Sequence, residues 1–388
     1  MKKYLFILIT LFVAGYLASK VQSSWGKVRV QSIKIPTQNG QWLVADLFKP
    51  ASANASNPSP LVIVIPGFQR SKETLSNISI ELSRRGIVTI AIDPYAQGLS
   101  SSSFSRRAAT KEGYGMFALV DYVYDTSILN YIDKDKIGVT GHSAGGLAAM
   151  RAAQHFGKIA KKNNTKSKIH SVFVSGMLRM GFKEKDLKKV ESNVGVSYAL
   201  HDEGAWQNEL KHGSLENAPE ILRLIHLQSE EENNINKVEM GKYYGSLNNN
   251  SATIIFNEKL LHPFQPYAKE AISNQINYFL DVFQIDTSVP GENQIWFWKE
   301  LLTFICLVCG LILIIPFSKF LIGLPYFQEL RNPIPKAFPT PTGKGLILFW
   351  SILLLSISIA CFSFIPLSEL TKSMFADASN RKQTWFFP

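Results

Sequence analysis

The residues predict a mixed α/β domain, a mostly parallel sheet covered by helices on both faces, with membrane-spanning segments at both ends. Three observations predict it. Strand-like apolar runs alternate with helical stretches from residue 27 to residue 283. One of those strands, at 137–140, runs into Gly141-His142-Ser143-Ala144-Gly145 and then into a small-residue helix start. Uncharged runs stand at 4–19, 301–318 and 345–368, and the last is long enough to span a bilayer with some tilt.

Taken in order, the uncharged run 4–19 follows Lys2 and Lys3 and has no polar face. Segment 1–23 therefore reads as a signal peptide or a membrane anchor, and the missing A-x-A favours an uncleaved anchor. Residues 28–35 alternate with period two, Asn39-Gly40 marks a tight turn and 42–48 alternate again, which makes a hairpin. Residues 61–65 (LVIVI) form a strand of the kind buried on both faces, ending in Pro66-Gly67-Phe68. A helix is expected over 71–85, then a strand over 87–92 that ends at Asp93, read as an organiser of its loop. The helical stretch 113–131 delivers the chain to the elbow strand. Beyond the elbow helix, 158–168 reads as a basic solvated loop, 169–174 as a strand and 183–191 as a charged surface helix. Residues 194–200 form the penultimate strand, running into His201-Asp202-Glu203, and 252–256 form the eighth and last. An amphipathic helix over 266–283 closes the domain, which spans 24–295. Segment 203–251 is either a cap over a pocket or a passive surface insertion.

Charge narrows the function classes. The net charge is +11, yet residues 24–295 hold 30 Lys and Arg against 26 Asp and Glu. Most of the basic excess flanks the apolar ends, where it fits membrane orientation. No basic stripe of the kind a nucleic-acid partner requires runs through the domain. The three cysteines, Cys306, Cys309 and Cys361, all lie in the C-terminal apolar segments, so the domain has no disulfide framework or cysteine zinc site.

Strand, G-x-S-x-G and helix start together make the context of a nucleophile elbow, a strained turn that lifts a serine hydroxyl clear of the backbone. Gly141 and Gly145 lack a Cβ, so the turn can close and the helix can approach the strand. The N–H of Ala144 and the positive end of the new helix face any oxyanion formed beside Ser143. At these residues the sequence resembles the α/β-hydrolase superfamily, particularly its dienelactone-hydrolase-like and prolyl-peptidase-like members. The resemblance covers about residues 25–290 and implies a mostly parallel eight-stranded sheet. It also implies a triad in the chain order Ser, acid, His, with a second oxyanion donor after the first parallel strand. By that resemblance the second donor is the N–H of Phe68, beside Gly67.

Seven histidines compete for the role of base. His142 lies inside the elbow, where its side chain is expected to point away from the nucleophile. His155, His170, His212 and His226 fall on elements that suit ordinary core or surface residues. His262 follows the last strand, ahead of the closing helix, where the family places its base. Asp202 is the first choice of acid, with Glu203 its neighbour and rival. Glu230-Glu231-Glu232 is a third option if 221–227 (ILRLIHL) is the penultimate strand. The implied chemistry is attack by Ser143 on an ester or amide carbonyl, with no metal or organic cofactor. The substrate would be a small-molecule or lipid ester. A peptidase of the same fold, or a non-catalytic membrane receptor or assembly protein, are the alternatives.

The C-terminal region, 296–388, carries two spans, at about 301–318 and 345–367. Trp296, Trp298 and Lys299 before the first span are interfacial residues. Between the spans, Lys319, Arg331, Lys336 and Lys344 stand against Glu329 alone. The positive-inside rule puts that loop in the cytoplasm and the α/β domain on the outer side. The apolar end Trp385-Phe386-Phe387-Pro388 raises the expectation that related proteins continue into further helices.

Overall fold

The computed structural model describes residues 2–103, 108–229, 232, 234–330 and 335–374. The chain divides into two units, 1–313 and 314–388. In the first, helix α1 (Lys2–Gln22) leads into the hairpin β1 (Val28–Pro36) and β2 (Trp42–Pro50). Strand β3 (Ser59–Ile65) follows, then α2 (Ser76–Ser83), β4 (Val88–Ile92), the short α3 (Ala108–Lys111) and α4 (Met116–Asp125). The elbow joins β5 (Ile132–His142) to α5 (Ala144–Asn163). After it come β6 (Ser171–Ser175), α6 (Glu184–Leu187), β7 (Asn193–Ser197) and α7 (Pro219–Gln228). Strands β8 (Tyr243–Tyr244) and β9 (Thr253–Phe256) precede α8 (Lys269–Phe283). Helix α9 (Trp296–Gly323) begins in this unit and runs into the second, which also holds α10 (Lys344–Met374).

The nine strands form one sheet in the order β1-β2-β4-β3-β5-β6-β7-β9-β8. Pairing is parallel from β4 through β9 and antiparallel for β1–β2, β2–β4 and β8–β9. The sequence predicts eight of these strands; the ninth is the two-residue edge Tyr243–Tyr244, too short to show a period. Leu61, Ile63 and Ile65 face a core shared with α4, α5 and α7, whereas Val62 and Val64 face one shared with α2 and α8. That alternation explains the all-apolar β3, since a strand covered on both faces has no solvent side.

Several expected boundaries shift. The stretch 158–168 is not a loop throughout, because α5 continues to Asn163 before Asn164 ends it in the left-handed region. The penultimate strand stops at Ser197 rather than Leu200. Residues 221–227 are helical, with Ile221, Leu224 and Ile225 fully buried in the principal core. The ILRLIHL run thus has a helical period, and the third acid option loses its strand. Of that option, Glu230 and Glu231 lie outside the described residues, as do 375–388 with the apolar end.

Among the described residues, three helices are long and apolar enough to cross a membrane: 4–22, 296–323 and 344–364. Within the first unit α1 and α9 touch, the Cys306 thiol lying 3.5 Å from the carbonyl of Leu11. A methyl group added to Gly15 would stand 3.8 Å from that sulfur. Small residues at such a crossing let two apolar helices approach closely.

Candidate active site

Ser143 occupies the single residue between β5 and α5, with φ 59° and ψ −121°. A non-glycine residue rarely adopts a positive φ, and the strain, of order 1–3 kcal/mol, is held by the elements on either side. Its N–H donates to the carbonyl of Ser175 on β6 at 2.8 Å, and its own carbonyl accepts the N–H of Leu147 at 3.1 Å. The flanking glycines are required by contact. A Cβ on Gly145 would lie 2.2 Å from the Ile65 carbonyl oxygen, and one on Gly141 would lie 2.5 Å from it. The G-x-S-x-G spacing therefore records how closely α5 crosses the end of β3. A Cβ on Gly67 would stand 3.4 Å from both Ser143 Cβ and the His142 carbonyl. The loop carrying Phe68 is thus brought against the serine.

His262 and Asp202, the expected base and acid, meet through a backbone ladder. Past the end of β7 the chain stays hydrogen-bonded to the segment after β9: Tyr198 N–H to Phe256, Leu200 N–H to Glu258 and His201 N–H to Leu260, at 3.1, 2.7 and 3.0 Å. The next step of this register sets Asp202 beside His262. Asp202 Oδ2 lies 2.6 Å from His262 Nδ1, and its Oδ1 accepts the N–H of Gly204 at 2.7 Å. Glu203, the rival acid, is exposed. His262 is the first residue of a 3-10 turn, His262–Tyr267, that leads into α8. Among the described residues Ser143 Oγ forms no hydrogen bond. Serine–imidazole contacts of catalytic type commonly shorten only when substrate binds.

Two influences compete at His262. Burial acts to lower its pKa, whereas the hydrogen bond and charge of Asp202, with the charge of Glu203 behind them, raise it; the net shift is upward. The Tyr198 phenol is pushed up to about 12 by burial and by the neighbouring Asp202 charge. The His142 ring packs 4.5 Å from that of His262, tilted by 39°. Its Nδ1 lies 3.1 Å from Ser175 Oγ. Burial and the adjacent His262 bring its pKa down to about 3, so it stays neutral beside the base. His155 stacks on Phe117 at 4.3 Å and His226 bonds the Ile235 carbonyl, both away from the elbow.

Beneath the base lies a polar cluster that sequence reasoning missed. Glu258 is buried and held by Ser197 Oγ at 3.0 Å, Asn274 Nδ2 at 3.0 Å and Gln265 Nε2 at 3.1 Å. Burial raises its pKa against those bonds. Gln265 also donates to Ser197 Oγ at 2.7 Å, while its Oε1 is buried without a partner among the described residues. It borders a cavity of about 10 Å³ shared with His142, Ser175 and Gln275, which suits one water. In the sequence, Glu258 and Gln265 are polar loop residues and read as solvated; only their flanking of His262 sets them apart. Asp93, read as a loop organiser, accepts the N–H groups of Lys72 at 2.8 Å and Leu99 at 3.0 Å.

The order of the parallel strands, the antiparallel β2 beside them and a serine on the turn after β5 define the α/β-hydrolase fold. The family model described as PETase, PET hydrolase-like, matches residues 16–170. That stretch includes Ser143 and ends before Asp202 and His262. Among solved structures, the chain is similar to an esterase of Pyrococcus furiosus, at 13% identity and TM-score 0.46, over 67% of this chain and 94% of that one. It is also similar to the ferulic-acid-bound Est1E of Butyrivibrio proteoclasticus, at 16% identity and TM-score 0.43, covering 66% and 100%. A puromycin-hydrolyzing peptidase of Mycobacterium tuberculosis shares 13% identity at TM-score 0.47, over 68% of this chain and 40% of that one. A comparison with curated proteins found no match.

Proposed function

We propose that this chain is a membrane-anchored serine hydrolase that cleaves a carboxylic ester through Ser143, His262 and Asp202. The observations that carry the reading are a strained Ser143 on the elbow, an imidazole of His262 packed 4.5 Å from the ring of the adjoining His142, and a buried carboxylate, Asp202, that holds His262 Nδ1 at 2.6 Å. His262 takes the proton of Ser143 as the hydroxyl attacks the ester carbonyl, and Asp202 holds the ring and its positive charge. The N–H groups of Phe68 and Ala144 stabilise the oxyanion. His262 then protonates the departing alkoxide, and water resolves the acyl-enzyme by the same path. The likeness to the PET hydrolase-like family model favours an ester over an amide. In this reading the apolar helices serve as anchors, and the basic loop between the last two supports an extracytoplasmic domain.

A fluorophosphonate probe tests the reading. The full chain in detergent should label once, and the label should vanish in Ser143→Ala and in His262→Ala. A protein that uses the fold only for binding would stay unlabelled. Turnover of an aryl ester separates an esterase from a peptidase, which would favour the matching aryl amide.

A further inference from the structure

We propose that the base loop and the start of α9 seat the active-site mouth in the membrane–water interface, and that the substrate is a long-chain lipid ester of the adjoining leaflet. This rests on the serine-hydrolase and anchoring readings above and adds the substrate class to them.

The geometry turns on α2. Near its start, Asn77 Nδ2 donates to the carbonyl of Pro266, in the turn that begins with His262, at 2.7 Å. Four residues later, Glu81 Oε1 accepts the N–H groups of Ile295 and Trp296 at 2.7 and 3.0 Å, where α9 begins. Four helical residues span about 6 Å, so one turn of α2 measures the gap between the base loop and the membrane helix. A second tie agrees: Gln294 Nε2 donates to the Lys269 carbonyl at 3.0 Å and to Ser273 Oγ at 2.9 Å, at the start of α8. The Tyr267 phenol, between these points, feels both Arg70 of the oxyanion loop and Glu300 of α9.

The apolar run of α9 starts at Leu301, about 7.5 Å along the axis from Trp296. Phe297 and Trp298 are each 57% exposed there, as suits an aromatic belt. The loop that begins at His262 exposes Phe264, at 60%, with Leu261 and Tyr267, and Phe68 is exposed on the loop after β3. Apolar side chains gathered in this way mark an interaction surface, and continuity with α9 makes a bilayer its partner. A long-chain ester is scarcely present in bulk water, so an anchored hydrolase meets it in the leaflet. Its acyl carbon would bond to Ser143 Oγ as the ester C–O bond breaks. The alcohol leaves with the serine proton, and water later releases the fatty acid.

The test uses the full chain with its three cysteines replaced by serine, reconstituted in phosphatidylcholine nanodiscs that contain doxyl-labelled phosphatidylcholine. An environment-sensitive fluorophore is placed by Phe264→Cys, Ile312→Cys or Lys158→Cys. Lys158 is exposed on α5, about 22 Å along that helix from Ser143. Quenching is expected at 312, at least about twofold quenching at 264 for an interfacial site, and none at 158. In unlabelled nanodiscs, kcat/KM for a palmitoyl ester should exceed that for the matching acetyl ester at least about tenfold, and Phe264→Ser/Tyr267→Ser should erase that preference. Quenching at 312 without quenching at 264, in protein still labelled at Ser143, overturns the proposal and leaves both underlying readings standing. Equal turnover of acetyl and palmitoyl esters overturns the substrate class. Absence of quenching at 312 removes the anchoring reading, and the proposal with it.

Discussion

In the proposed mechanism His262 is neutral when it accepts the serine proton, and its pKa is raised by Asp202 against the effect of burial. The rate should therefore climb with pH, with its inflection above the ordinary imidazole value of about 6.5. Asp202→Asn should move that inflection downward and lower kcat about ten-thousand-fold. Glu203→Gln removes only an exposed charge and should change kcat by less than about threefold. A pH–rate series on the three proteins reads both effects, and a larger loss in Glu203→Gln would move the acid by one residue. The same ionisation bears on stability. The protonated pair Asp202–His262 stabilises the fold fully below the unfolded imidazole pKa, and that contribution is lost as pH rises through the raised folded value. His142, brought down to about 3, should leave no inflection in the working range.

Glycine spacing and one buried carboxylate matter most among the elements. Gly145→Ala would drive a methyl into the Ile65 carbonyl, and neither α5 nor β3 can retreat without opening the sheet. A loss of about 1–3 kcal/mol or more is expected, seen as a lowered Tm together with loss of probe labelling. Glu81 has a fully buried side chain and bonds Arg84 at 2.7 Å and the equally buried Arg85 at 2.9 Å. Glu81→Gln should cost about 3–5 kcal/mol, because it leaves a buried cation without its counter-charge. The readout is chemical unfolding, and a variant as stable as the parent would contradict the burial of that pair.

At the scale of the whole molecule, the α/β domain and the start of the apolar helix α9 are joined through Glu81 as well as through the chain. A soluble fragment over 24–300 keeps the N–H groups of Ile295 and Trp296 on that carboxylate, whereas a fragment over 24–293 loses them. The shorter fragment should be less stable by roughly 1.5–3 kcal/mol per lost bond to the charged group. Comparing the denaturation midpoints of the two fragments measures this. Equal midpoints would show that the tie between α2 and α9 is energetically idle.

The residues by themselves determined what depends on near neighbours. Period and composition marked eight strands and the apolar spans, because a strand buried on both faces and a helix in lipid each select residues locally. The elbow was legible because Gly141 and Gly145 stand within two residues of Ser143. Tertiary structure alone decided what depends on chain segments far apart. Asp202 rather than Glu203 meets His262 through the ladder of 198–201 along 256–260, since register selects between adjacent carboxylates that look alike in sequence. His142 turns to His262, and Glu258 and Gln265 are buried, because elements sixty or more residues away close over them. The loop that begins at His262 lies one turn of α2 from the start of α9 because Asn77 and Glu81, four residues apart, hold partners 189 to 215 residues away along the chain.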